Sequence, residues 1–227
     1  PNGGETINGC STLAITWSKS NCVGNWNVLY STNNGTSWTT IVSNLTNNGA
    51  ASQTYNWVVP NNITTTQGRI RIEAYNSPTS YNDMSDAAFN INVNNNITVT
   101  APNGGETLTG CSNYTITWTK LASPCNTGFL IEYSLNNGSS WTAINTVSDN
   151  GSTTQSYVWS VPNTPSSTQA KIKVSSTDYT AVSDESNAVL TINQSTDVTI
   201  TAPNGGQTLA ANSSYTITWT NLAGASG

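Results

Sequence analysis

The sequence predicts an all-β protein made of tandem β-sandwich domains. Three observations predict it: the chain repeats itself at an interval of 101 residues, each repeat alternates apolar and polar residues, and Asn, Thr, Ser and Gly dominate a composition punctuated by regularly spaced aromatics. Alternation of period two is the pattern of a half-buried strand. Asn, Gly and Ser supply the tight turns between such strands, and strong helix formers are scarce.

The repeat is exact at its landmarks. PNGGET at Pro1 returns as PNGGET at Pro102 and as PNGGQT at Pro203. The segments LAITW, YTITW and YTITW end on Trp17, Trp118 and Trp219, Cys10 aligns with Cys111, and Asp83, Ser85 and Ile91 align with Asp184, Ser186 and Ile192. Trp38 with Trp141 and Trp57 with Trp159 drift by one or two residues, as short loop insertions produce. A period near 100 residues is one whole domain, not a solenoid unit. The expected domains are 1–95, whose first strand is truncated, 96–195, and 196–227, the N-terminal fragment of a third. The linkers around Asn95 and Ser195 are a few polar residues long, and the chain reads as a window on a longer array.

Within the second repeat the alternation places strands near Ile97–Ala101, Tyr114–Thr119, Phe129–Ser134, Trp141–Thr146, Ser156–Val161, Ala170–Ser175 and Ala188–Asn193. Seven short strands without an intervening helical period give the count of an Ig-like or fibronectin III-like sandwich. The inward set is Tyr114, Ile116 and Trp118, facing Leu130 or Ile131, Tyr157, Trp159, Ile172 and Val174. Repeat one supplies Leu13, Ile15, Trp17, Val28, Tyr30, Tyr55, Trp57, Ile70 and Ile72 at the same places.

The stretches STNNGTSW from Ser31 and SLNNGSSW from Ser134 each set Asn-Gly between two alternating runs. Both residues tolerate positive φ, so the pair is a strong hairpin signal. Ser and the first Asn are placed to bond the turn's own amides, with the tryptophan opening the returning strand. The spacing resembles the Asp-box of sialidases, with Asn for Asp; in that family the box is a fold element away from the catalytic site.

Composition excludes several functions. Charged residues make up 7% of the chain, histidine is absent and the net charge is −5. A Ser-His-Asp set is therefore impossible and the usual proton shuttle at neutral pH is missing. The six basic residues, Lys19, Arg69, Arg71, Lys120, Lys171 and Lys173, form no cationic stripe in the sequence, so nucleic acid is not an expected partner. No run of about eighteen apolar residues exists, so direct insertion into a membrane is not expected either.

The combination PNGGE, I-x-W, YS-x-NNG-x-x-W, Y-x-W-x-VP and D-x-S-(D/N)-A resembles the KNH-like immunoglobulin-like domain, also described for Ser/Thr-rich surface-anchored proteins. The resemblance covers both full repeats and the fragment, which departs at Gln207 and has no cysteine near Asn212. It implies tandem domains of large secreted or cell-surface bacterial proteins, of the Bacteroidetes type, and so an extracellular location.

Four cysteines suggest disulfides in an oxidising exterior. Cys10 and Cys111 precede the second strand of their repeats, whereas Cys22 and Cys125 follow it. Pairing Cys10 with Cys22 and Cys111 with Cys125 leaves no orphan, but the strand from Leu13 to Trp17 alone spans about 13 Å, and bridged Cα atoms lie within roughly 7 Å. Pairing of Cys10 with Cys125 is the alternative. Asp83 with Asp86, and Asp184 with Glu185, lie in the loop before the last strand, where turn formation is favoured over calcium. Tyr75, Tyr81 and Tyr179 are candidate ligand contacts in the late loops, and Trp26 and Phe129 are further aromatics beside the third strand; lids on the core are favoured over sugar platforms. No catalytic residue, cofactor or metal site is expected.

The expectation is a non-catalytic stalk or adhesin segment of a large extracellular or cell-surface protein. Its partners are neighbouring repeats of the same chain, with surface glycans or other surface proteins as further candidates. The alternatives are a carbohydrate-binding accessory module of a secreted hydrolase, in which the loop tyrosines would stack on sugar, and a subunit of an extracellular filament.

Overall fold

A computed structural model describes residues 1–19, 24–95, 97–121, 125–195 and 198–220. Every regular element in them is a strand. In order these are β1 (Thr6–Asn8), β2 (Thr12–Ser18), β3 (Trp26–Ser31), β4 (Thr39–Leu45), β5 (Ser52–Val58), β6 (Thr65–Ala74), β7 (Asn82–Met84) and β8 (Phe89–Asn92). The second repeat continues with β9 (Thr98–Ala101), β10 (Thr107–Thr109), β11 (Asn113–Thr119), β12 (Gly128–Ser134), β13 (Thr142–Ser148), β14 (Thr154–Ser160), β15 (Ser167–Ser176), β16 (Ser183–Glu185) and β17 (Leu190–Asn193). The third contributes β18 (Thr199–Ala202) and β19 (Thr218–Thr220).

Both full repeats are two-sheet sandwiches of one topology. The larger sheet runs β1-β8-β6-β3-β4 in the first and β10-β17-β15-β12-β13 in the second, with β7 and β16 laid on β6 and β15. The opening strands β1 and β10 run parallel to β8 and β17. The smaller sheet is β2-β5 in the first repeat and β14-β11-β9 in the second. This is the Ig-like, fibronectin III-like architecture that the alternation predicts. By contacts the chain forms two compact units: Pro1–Asn96 with Leu121–Phe129 and Ser175–Ser183, and Ile97–Lys120 with Leu130–Val174 and Asp184–Gly227.

The core lies between the sheets. In the second repeat Ile116, Trp118, Ile131, Ile172 and Val174 are fully buried. Leu130 is not the inward residue of its strand, because Phe129 and Ile131 take the core face and leave it half-buried. Tyr114 and Tyr157 are also only half-buried. In the first repeat Ile15, Val28, Trp57, Ile70 and Ile72 make the core, with Leu13, Trp17, Tyr30 and Tyr55 packed against it.

The second repeat holds nine strands where the alternation marks seven. The additional ones, β10 and β16, are three residues each, too short to write a period. The PNGGE motif is what starts β10 and its counterpart β1. Asn2 and Gly3 donate backbone N–H groups to the two carboxylate oxygens of Glu5 at 2.8 Å each, and Asn103 and Gly104 do so to Glu106 at 2.7 Å. Gly3 sits at φ +127°, and a Cβ there would lie 2.4 Å from the Cβ of Ala87, so the motif's first glycine is required by close approach as well as by φ.

Candidate functional site

A concave feature of the first unit lies beside β2. Over seven residues β2 pairs with β5, from Thr12 opposite Val58 to Ser18 opposite Ser52. Among the described residues its other edge carries no strand. In the second repeat the corresponding edge of β11 is covered by β9, with Val99 opposite Trp118 and Thr98 opposite Thr119. Ile97 and Val99 there are 3% and 1% exposed, and Trp118 is completely buried.

A cavity of about 770 Å³ lies beside β2. It is lined by Ile15 and Trp17 of β2, Trp26 of β3, Ile70 and Ile72 of β6, and Tyr81 to Ser85. Trp17, the counterpart of Trp118, is only half-buried. It meets Trp26 edge-on, ring centroids 6.0 Å apart, and neither indole N–H has a hydrogen-bond partner among the described residues. On the rim, the repeat places Asp83 where the second repeat has Asp184. Asp184 accepts the backbone N–H of Val99 at 2.8 Å, whereas no described residue hydrogen-bonds the carboxylate of Asp83. The groove thus offers a strand edge, apolar walls and one carboxylate acceptor.

The residues singled out from the sequence do not converge. Tyr81 is 59% exposed and lines the groove. Tyr75, 43% exposed, and Tyr179, half-buried, do not line it. Trp26 and Phe129 are buried, which removes them as sugar platforms. Carboxylates serve the fold: Asp86 accepts the side-chain amide of Asn2 at 2.6 Å, Glu132 pairs with Lys173 at 2.7 Å, Glu73 with Arg71 at 2.9 Å, and Glu185 with Lys171 at 3.4 Å. Among the described residues no three His, Cys, Asp or Glu side chains gather as a metal site requires.

Cys10 is bonded to Cys125, 115 residues later, with Cα atoms 5.3 Å apart and both residues in the first unit. Cys111, expected in a disulfide, carries a free and exposed thiol, so its pairing with Cys125 is overturned, and with it the pairing of Cys10 with Cys22. The physical reason is the one the strand length gives: an extended β11 separates the two ends that the local scheme needs together. Cys22 itself lies outside the described residues.

Two features escaped the sequence reading. Lys120 is buried and bonds Asp149 at 2.7 Å, a pairing across 29 positions that no local pattern announces. The strand-clamping role of Asp184 was signalled only by its recurrence with Asp83 at the repeat interval.

No family model matches the sequence, and no curated protein matches it. Matched solved structures include the fibronectin(III)-like modules of Clostridium thermocellum CbhA, at 13% identity over 86% of this chain and 90% of that one, with a TM-score of 0.29. A chimeric titin Z1Z2-Z1Z2 tandem matches at 13% identity over 84% and 95%, TM-score 0.29. An ICAM-5 D1–D4 ectodomain fragment matches at 9% identity over 88% and 55%, TM-score 0.31. By its own sheet order and core, the chain is a tandem of Ig-like, fibronectin III-like β-sandwiches.

Proposed function

We infer that the chain is a non-catalytic structural segment, a stalk or adhesin piece of a large extracellular or cell-surface protein, built of KNH-like repeats at 1–95, 96–195 and 196–227. One observation carries the reading: polar side chains that a catalytic or binding site would use are bonded to the repeats' own backbone. Glu5 and Glu106 close the PNGG turns, Asn33 and Asn136 close the hairpins, and Asp184 holds β9. A disulfide closing a 115-residue separation supports an oxidising compartment. Neighbouring repeats are the first partners of such a segment, and surface glycans or surface proteins the next.

The test is a glycan array together with a hydrolase substrate panel on the purified chain. The expected outcome is no turnover and no glycan capture that depends on Tyr75 or Tyr81. Glycan capture abolished by Tyr75→Ala and Tyr81→Ala would replace the structural segment with an accessory carbohydrate-binding module.

A further inference from the structure

The turns of both full repeats are built on a chemically labile dipeptide. Asn2, Asn8, Asn34, Asn48, Asn103, Asn137 and Asn150 are each followed by glycine. In an unfolded chain the glycine nitrogen, once base has taken its proton, attacks the side-chain carbonyl carbon of the Asn before it. The new C–N bond closes a five-membered succinimide as ammonia leaves, and water then opens the ring to aspartate or isoaspartate. Asn is thermolabile by this route, and glycine after it is permissive because no side chain shields the attacking nitrogen.

All seven glycine N–H groups donate to an acceptor in the folded chain, and the acceptors are of unrelated kinds. Carboxylates accept from Gly3, Gly104 and Gly151: Glu5 at 2.8 Å, Glu106 at 2.7 Å and Asp149 at 2.9 Å. The buried hydroxyls of Ser31 and Ser134 accept from Gly35 and Gly138 at 2.9 Å each. The side-chain amide oxygen of Asn47 accepts from Gly49 at 3.0 Å, and the main-chain carbonyl of Asn92 from Gly9 at 2.8 Å. The group under attack is tied as well. The side-chain oxygen of Asn103 accepts the N–H of Asn187 at 2.7 Å, that of Asn34 the Nε–H of Arg69 at 2.8 Å, and that of Asn150 the N–H of Ser152 at 2.8 Å.

We propose that these acceptors guard the Asn-Gly bonds against deamidation: each holds the proton that must leave and the nitrogen that must move. Succinimide closure then requires the hydrogen bond to open first, and one bond of ordinary strength slows it about 10-fold. A carboxylate acceptor adds a negative charge that opposes the amide anion forming beside it. The same side chains that set the turn geometry thereby keep the turns chemically intact. This role is independent of where the chain resides and of whether it binds glycans.

The test is site-resolved mass spectrometry of the 227-residue chain aged at mildly alkaline pH, reading aspartate and isoaspartate at each of the seven positions against the guanidinium-unfolded chain. In the folded chain every one of them is expected to react at least about 10-fold more slowly than when unfolded. Ser134→Ala is expected to speed reaction at Asn137 about 10-fold and to leave Asn103 and Asn150 at their original rates. Glu106→Gln, which keeps an oxygen acceptor and loses its charge, is expected to speed Asn103 about 3-fold and to leave Asn137 unchanged. Lost global stability would raise all seven rates together, so acceleration confined to one position separates the guard from general unfolding. Equal rates in the folded and unfolded chains would overturn the proposal. So would a Ser134→Ala chain in which Asn137 keeps its original rate, or one in which all seven positions accelerate in step.

Discussion

Ser31 and Ser134 show how much of this molecule is decided by single side chains. Each is 2% exposed and accepts the N–H of the hairpin glycine at 2.9 Å, while Asn33 and Asn136 accept the N–H of Ser37 and Ser140 at 2.9 Å. The turn residues Asn137 and Gly138 lie at φ 52° and 84°. A Cβ on Gly138 would also stand 3.3 Å from the Trp141 ring, so Gly138→Ala is expected to cost about 1–2 kcal/mol, read by urea denaturation. Glu5 offers a pH test. The N–H of Asn2 is the main cause that holds its carboxyl below the ordinary range, helped by Gly3. Because the folded state favours the ionised form, this stabilisation is present above the ordinary carboxylate pKa of about 4.3 and fades as pH falls through the lowered value. Glu5→Gln is expected to flatten thermal stability across that acid window, measured by melts from neutral to acid pH. The hairpin turns were legible in the sequence because Asn-Gly states its backbone angles locally. The two-pronged grip of Glu5 on Asn2 and Gly3 was not, since an acid three residues downstream is equally at home in solvent.

At the scale of elements, strands with four or more alternating residues could be read directly, and β11 and β14 fall within two residues of their expected ends. What could not be read was set by partners distant in sequence. β10 exists because β17 offers it a parallel edge, and the burial of Lys120 depends on Asp149 beyond the next two strands. Asp149 also takes the side-chain amide of Gln155 at 2.8 Å and the N–H of Gly151 at 2.9 Å, so the lysine closes a small polar network. Lys120→Met is expected to destabilise the second unit by about 3 kcal/mol, because it leaves a partly buried carboxylate uncompensated. The double variant with Asp149→Asn is expected to recover part of that loss in a double-mutant cycle by chemical denaturation. The open edge of β2 belongs to this scale too. The alternation marks β2, but the groove beside it, with its tryptophans and the Asp83 carboxylate, is assembled only by the folded partners β3, β6 and β7.

At the scale of the whole molecule, the 101-residue interval and the period-two alternation together carried the fold class, whereas cysteine pairing depended on which turns come together in three dimensions. Cys10 sits at φ 64° in the turn after β1, and Cys111 at φ 63° after β10, yet one is bonded and the other exposed. Identical local geometry therefore says nothing of the partner. Non-reducing peptide mapping is expected to recover a fragment linking residues 10 and 125 and to find Cys111 alkylatable without reduction. Cys125→Ser is expected to lower the unfolding free energy of the first unit by up to about 4–5 kcal/mol, the chain-entropy value for a closed loop of this size. The same bond sets how far the protein can be drawn out between two anchored ends. Everything from position 10 to position 125 is bypassed by a single sulfur link, so an unfolded molecule under load hides those 115 residues from the tether. Adding a reductant in an optical trap should release about 400 Å of extra contour at some 3.5 Å per residue, turning a redox change into slack.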